Sequence, residues 1–307
     1  MFRSLRNFSD RLFKSDFAVF RSRKQAAAAL LTGSVGVASA VLVPNLAVDW
    51  TKSLLQVQKN GSSVAPTKKL RTLLESAKLE LDYSGSETKC VRLFPISSNI
   101  GETFGSVKPV GCKAVIGIPL FLHAERVEDV SLEKALTSVL TKEEKRNAIA
   151  RYREASLLSD SAKQYVIGEG LLFAKQPYHY LTPAAISTLA FATTFLQSAA
   201  IIHFWGYQKH SFVQRSFVYV ASAFLWIPFS FTLMFYSKEI LLRNLVSTLN
   251  ESYVDGGIEY YEKLIERNRI GFELFEPSVS EWIDYKILDV ICKQRLSALK
   301  ELKKTFL

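Results

Sequence analysis

Two long runs without a charged side chain constrain this chain more than any other feature. Ala184–Trp205 and Ser216–Tyr236 contain no Asp, Glu, Lys or Arg. Each exceeds the roughly 20 residues that a helix needs to cross about 30 Å of hydrocarbon. Between them Gly206–Arg215 carries Lys209, His210 and Arg215 and no acid. A backbone in lipid must satisfy its own hydrogen bonds, so the pair predicts a transmembrane hairpin over 184–236. Aromatic residues mark its edges: Tyr178 and Tyr180 before it, Trp205 and Tyr207 at the turn, Phe235 and Tyr236 at the exit. The competing reading is a pair of buried core helices, which rarely run this far without a charge.

The net charge of +10 is unevenly spread. Residues 1–48 carry seven Lys/Arg against Asp10 and Asp16, while 49–183 hold 19 bases and 15 acids and 237–307 hold 11 and 12. The excess therefore lies in the leader and the hairpin loop, not on a folded domain. That excludes the concentrated basic face that nucleic-acid binding needs. It fits a positive-inside bias instead. The three cysteines, Cys90, Cys112 and Cys292, form no CxxC, so neither a disulfide framework nor a zinc ribbon is indicated; a Cys90–Cys112 bridge stays open.

Residues 1–25 alternate Arg and Lys with Phe and Leu at spacings of three and four. An amphipathic, basic, acid-poor N-terminus predicts a mitochondrial targeting or matrix-facing leader, a membrane-surface helix being the alternative. The charge-free residues 26–48 predict a first transmembrane helix, whose Gly33, Ser34, Gly36, Ala38 and Ser39 would allow close packing on the hairpin. Three spans put the leader and the 206–215 loop in the matrix and both large segments on the other side.

Residues 49–183 predict a mixed α/β domain. Thr67–Leu81 has leucines at helical spacing, and Lys89–Phe94, Thr103–Val107 and Lys113–Pro119 read as short strands between Gly and Pro. Ser131–Leu140 suggests a short helix. Thr141 and Glu144 form a capping box opening a long helix over 142–175. Residues 237–307 predict a helical segment packing on that domain. In it a helix over Lys238–Val254 ends at Gly256-Gly257, where one glycine takes φ > 0. Ile258–Asn268 and Trp282–Lys304 follow as amphipathic helices, the last with an apolar face from Ile283 to Leu302. The fold class is an α+β membrane protein, mostly helical with a small sheet, the hairpin inserted in a mixed domain.

No GxGxxG, P-loop, GxSxG or HExxH is present, and no two of the four histidines stand four apart. Ser86/Lys89, Ser131/Lys134 and Ser297/Lys300 match a serine–lysine spacing that a chain rich in both produces by chance. No catalytic residue, cofactor or metal ligand is expected.

Tyr253-Val-Asp-Gly-Gly-Ile-Glu-Tyr-Tyr-Glu-Lys-Leu264 resembles a motif of the transmembrane protein 177 family of mitochondria. In that family an aromatic residue precedes Gly-Gly, a hydrophobic residue and Glu-[FY]-Tyr-Glu-Lys-Leu. Val115-Ile-Gly-Ile-Pro119 is similar to a short family strand, and Arg153-Glu154 to an Arg-Glu pair. The order of leader, mixed domain, hairpin and Gly-Gly tail extends the resemblance over the whole chain. It implies a multi-pass inner-membrane protein that aids biogenesis of cytochrome c oxidase subunit 2 beside that subunit's membrane chaperone, in contact with membrane lipid. Glu259, Tyr260, Tyr261 and Glu262 are the candidate partner-binding residues.

The order of parts also resembles membrane zinc peptidases of the HtpX type, in which a strand, an HExxH helix, a hairpin and a helix bearing Glu-x-x-x-Asp follow one another. Here Arg153 and Glu154 would stand on the metal helix, with Glu251 and Asp255 after the hairpin. That similarity implies a degenerate zincin-like fold with a vestigial site. Arg153 cannot ligate a dication and Leu157 has no lone pair, but Arg153 could pair with Glu251. The expected function is a non-enzymatic assembly or stabilising factor. The alternatives are a membrane-bound metallopeptidase-like protein or a structural subunit of a membrane complex. A channel is disfavoured by the absence of Asp, Glu, Lys and Arg in the spans.

Overall fold

A computed structural model describes residues 23–59, 61–107, 113–130, 141–204, 250–275 and 278–306, with a few positions between 217 and 240. The helix over 131–140, the 206–215 loop, Cys112, and most of the leader, of the second apolar run and of 238–249 lie outside the described residues. The chain forms two units, one of Met1–Asn45 with Tyr178–Leu241 and one of Leu46–Pro177 with Leu242–Leu307.

The first unit contains α1 (Arg23–Leu46) and α7 (Tyr178–Phe204). Among the described residues one helix, Ala28–Leu46, is long and apolar enough to cross a membrane by length and composition. The Phe191 ring of α7 sits where a side chain on Gly33 would stand, 2.2 Å from the position of its Cβ. The hydroxyls of Ser187, Thr188, Thr193, Thr194 and Ser198 each donate to the carbonyl four residues back, at 2.7–3.0 Å. Such back-bonding satisfies hydroxyl donors without water.

The second unit is α+β. It holds α2 (Val48–Leu55), a two-residue hairpin of β1 (Gln58–Lys59) and β2 (Ser62–Ser63), α3 (Lys68–Glu80) and α4 (Gly85–Thr88). Then come β3 (Val91–Ile96), β4 (Glu102–Ser106) and β5 (Lys113–Pro119), followed by α5 (Lys142–Ser156) and α6 (Asp160–Lys175). After the first unit's second segment it resumes with α8 (Glu251–Leu274) and α9 (Val279–Lys303). Strand order is β3-β5-β4, with β5 parallel to β3 and antiparallel to β4. The central place of β5 explains its unbroken apolar run, since every residue after Lys113 is buried.

α6 is the central helix, buried at almost every position from Ala162 to Ala174. Carbonyls of its last turns are taken by the sheet and its neighbours, and that of Ala174 is among the last four, which have no partner within the helix. Ser106 Oγ and Val107 N donate to the Ala174 carbonyl at 2.8 and 2.9 Å, and the Tyr83 hydroxyl donates to that of Leu171 at 2.5 Å.

Three expectations are corrected. The helix over 142–175 is two helices, broken at Leu157 (φ −85°, ψ 121°). The capping box of Thr141 and Glu144 is present, but Ser159 caps a new start by accepting from Ala162 N. Lys263 Nζ takes the Leu157 carbonyl at 2.5 Å. The helix expected to run unbroken over 238–254 is interrupted at Asn250, whose extended backbone and side chain cap α8. α8 then runs straight through Gly256 and Gly257, neither of which has positive φ.

Candidate functional site

The second unit is organised around α6 and the Tyr253–Leu264 stretch of α8. The two helices run antiparallel: Gly256 meets Ser161, and Tyr253 lies over Gly168. A Cβ on Gly256 would stand 2.2 Å from the Ser161 carbonyl oxygen, and one on Gly257 2.7 Å from the Tyr165 ring. The glycine pair is therefore a place of close backbone approach, not a turn. Its low helix propensity is overridden by the packing it permits.

Tyr260 and Tyr261 point into that packing, 1% and 0% exposed. Tyr261 meets Tyr260 and Tyr165 edge-on, at 4.9 and 6.0 Å between centroids. The Tyr260 hydroxyl donates to the Asn99 carbonyl at 3.4 Å. The expected partner-binding role is corrected for both rings, because neither offers surface to a partner. Glu259 is also committed internally: it accepts from the Ser159 amide at 3.0 Å and from the Ser159 hydroxyl, and pairs with Lys263 at 3.2 Å. Glu262 is exposed and pairs with Lys300 at 2.7 Å.

Beneath the tyrosines lies a buried charged cluster. Arg295 Nη1 of α9 donates to Glu169 Oε1 of α6 at 3.2 Å and to the Tyr261 hydroxyl at 3.0 Å. That hydroxyl donates to Glu169 Oε2 at 3.2 Å. Burial, above all, raises the Tyr261 pKa, so the phenol keeps the proton that it donates. One residue from each of three helices closes a ring of hydrogen bonds. With Glu169 and Arg295 both buried, this ring ties helices together and gives no substrate access to the carboxylate.

The four residues of the expected vestigial site do not converge. Tyr152, beside Arg153, accepts from Arg267 Nε at 3.3 Å. Glu251 lies about 24 Å from Arg267 along α8, at 1.5 Å per residue. Asp255 pairs with Lys303 at 2.7 Å, and Glu154 and Glu251 are exposed. The suggested Arg153–Glu251 pair is thereby corrected, and Arg153-Glu154 sits on α5, one helix before the one leading to α7. Among the described residues no three His, Cys, Asp or Glu side chains gather as a metal site. The acid and base that meet across helices with both partners buried are Glu169 and Arg295. Sequence reading missed them, although Glu169 stands alone in the apolar Val166–Phe173 run and Arg295 falls one turn from Cys292 and Leu299.

A second polar group surrounds the Leu120–His123 turn. Lys163 Nζ, buried, donates to the Ala124 carbonyl at 2.8 Å. Burial, and then the Lys163 charge, hold the His123 pKa down from its ordinary 6.5 to about 4. Arg267 stacks over Phe121, 4.0 Å from its centroid. On α9 the expected apolar face divides: Leu299 is buried, whereas Trp282, Ile283, Ile287 and Val290 are exposed. No family model, curated protein or solved structure matches this chain.

Proposed function

We propose that this chain is a non-enzymatic assembly or stabilising factor of the mitochondrial inner membrane, serving biogenesis of cytochrome c oxidase subunit 2 beside that subunit's membrane chaperone. One observation carries the reading. The Tyr253–Leu264 segment, which bears the resemblance to the transmembrane protein 177 family, supplies the glycines, tyrosines and glutamate on which α6 and α8 pack. A motif spent on internal packing fits a rigid holding unit better than a reactive centre. Engagement of Glu169 by Arg295 and Tyr261 supports the same view, since a carboxylate bonded at both oxygens and shielded from water is a poor acid or base.

The multi-pass membrane placement belongs to this proposal. Ala28–Leu46 and the charge-free Ala184–Trp205 would cross the bilayer with Ser216–Tyr236. The inward-bonded hydroxyls of α7 suit hydrocarbon. In this reading the spans meet the client's membrane helix. Its soluble part lies on the exposed α9 stripe of Ile283, Ile287 and Val290 rather than on Glu259–Glu262.

The test is affinity purification of the tagged chain from gently solubilised mitochondria, with mass spectrometry of the eluate. Newly made oxidase subunit 2 and its chaperone should be enriched over bulk inner-membrane proteins. An eluate of bulk membrane proteins alone would remove this function.

A further inference from the structure

The short helix α2 is apolar on two opposite sides, and among the described residues one side is packed in the core while the other is exposed. Its inner side places Val48 in a buried cluster with Phe94, Ile96 and Val115, Phe104 packing against it, and buries Thr51 as well. Its outer side carries Trp50 and Leu54, 56% and 63% exposed. These two are four residues apart and so share one stripe. At 3.6 residues per turn Trp50 stands roughly 160° around the helix from Val48, and Leu54 roughly 120° from it. Two polar residues beside the stripe are tied back: Asp49 pairs with Lys113 at 2.8 Å and Ser53 Oγ donates to the Trp50 carbonyl at 2.7 Å.

What covers the outer stripe follows from where the helix starts. The apolar Ala28–Leu46 segment ends two residues before Val48. Between them Ala47 leaves helical geometry (φ −94°, ψ 54°), so α2 is free to take a direction other than that of α1. Two Cα steps reach at most about 7.6 Å. A headgroup layer is roughly 5–8 Å thick on each side of the hydrocarbon. If Ala28–Leu46 spans, Val48 stays within that layer, and an α2 turned along the surface keeps Trp50 at the depth that an amphipathic tryptophan prefers.

We infer that α2 is an interfacial anchor. Trp50 and Leu54 insert among phospholipid headgroups and the first acyl carbons, while Val48 and Thr51 hold the other side of the helix in the core of the β3–β5 sheet. The occupant of the stripe is the bilayer surface, and α2 fixes the α+β unit against it. This inference rests on the membrane placement proposed above, but that placement does not require it.

The experiment uses the full chain, with Cys90, Cys112 and Cys292 replaced by alanine, reconstituted in phosphatidylcholine–phosphatidylethanolamine vesicles. Single cysteines are introduced as Trp50→Cys, Leu54→Cys, Val35→Cys and Arg71→Cys and labelled with an environment-sensitive fluorophore. Circular dichroism must match the parent in each case, which the exposure of all four positions favours. Lipids bearing a nitroxide near the headgroup, or at the acyl-chain end, serve as quenchers. We expect the headgroup nitroxide to remove most of the emission at positions 50 and 54, the chain-end nitroxide to quench position 35, and neither to affect position 71. Quenching at 35 with emission at 50 and 54 like that at 71 overturns the anchor and leaves the membrane placement standing. Blue-shifted but unquenched emission at 50 and 54 means that protein covers the stripe, and also overturns it. Absence of quenching at 35 removes the membrane placement, and the anchor with it.

Discussion

Glu169 of α6 and Arg295 of α9, 126 residues apart in sequence, form a buried ion pair at 3.2 Å, closed by the Tyr261 hydroxyl of α8. The net worth of such a pair is small, because desolvation of both charges opposes their attraction. Breaking it is another matter. Arg295→Met leaves a carboxylate without its cation in the core and should cost about 3–5 kcal/mol. Combining it with Glu169→Leu should recover most of that loss, since an apolar pair of similar volume needs no partner. Denaturant unfolding of the two single variants and the double variant, in mild detergent, measures the coupling. Additive losses would mean that the pair does not act as a unit.

The glycine pair gives a prediction with an order to it. Gly256→Ala drives a Cβ at the Ser161 backbone carbonyl, 2.2 Å away, which cannot move without displacing α6. Gly257→Ala meets the Tyr165 ring at 2.7 Å, and a ring can tilt. Overpacking in a filled core costs about 1–3 kcal/mol. Gly256→Ala should fall at or above the top of that range and Gly257→Ala below it, although alanine favours an isolated helix over glycine by about 1 kcal/mol. Melting temperatures that rise in both variants would show that propensity, not close approach, governs this stretch.

The same glycines mark where the sequence stopped being informative. The strand Lys113–Pro119, the helix expected over Thr67–Leu81 and the Thr141/Glu144 box were legible, because each rests on neighbours within a few residues. Gly256-Gly257 reads locally as a break, and only the approach of α6 makes it helical. Leu157–Ser159 shows the reverse: helical spacing continues across it, and the break depends on the Ser159 cap and on Lys263 reaching from α8. In Glu259–Glu262 two tyrosines flanked by acids suit a docking face as well as a core edge, and burial alone distinguishes them. Glu169 and Arg295 stand too far apart in sequence for any local pattern to pair them.

His123 should give the unit an acid-sensitive stability. Burial and the Lys163 charge lower its folded pKa to about 4, against an ordinary 6.5. Between those values the unfolded chain binds more protons than the folded one, so stability rises with pH. The contribution is complete above about pH 6.5 and is lost as pH falls towards 4. Allowing for partial exposure of the ring, it amounts to on the order of 1–2 kcal/mol. The difference in unfolding free energy between parent and His123→Gln should shrink across that window. A difference constant from pH 4 to pH 7 would place the imidazole in water.

Glu259 separates a packing role from a partner role. Its carboxylate takes both the amide and the hydroxyl of Ser159, the residue that caps α6. Glu259→Ala should cost about 1–3 kcal/mol, as expected for losing charge-assisted bonds at a helix start. Recovery of client should be unchanged at temperatures where the variant is folded. Parent-like melting with lost client recovery would return Glu259 to the docking surface.

The α9 stripe is where the proposed function is most exposed to refutation. Trp282, Ile283, Ile287 and Val290 are exposed, while Cys292, Arg295 and Leu299 further along the helix are buried. Residues 283, 287 and 290 follow helical spacing, so α9 passes from an open apolar face to a core-facing one along its length. Polar substitution on an exposed face usually changes stability within about 0.5 kcal/mol, so Ile283→Ser with Ile287→Ser should melt like the parent. If the stripe holds the client, the same variant should lose client recovery in affinity purification. Leu299→Ala should do the opposite, costing about 2–5 kcal/mol through its cavity while sparing recovery below its melting temperature. Undiminished client recovery with the double serine variant would place the contact elsewhere on the protein.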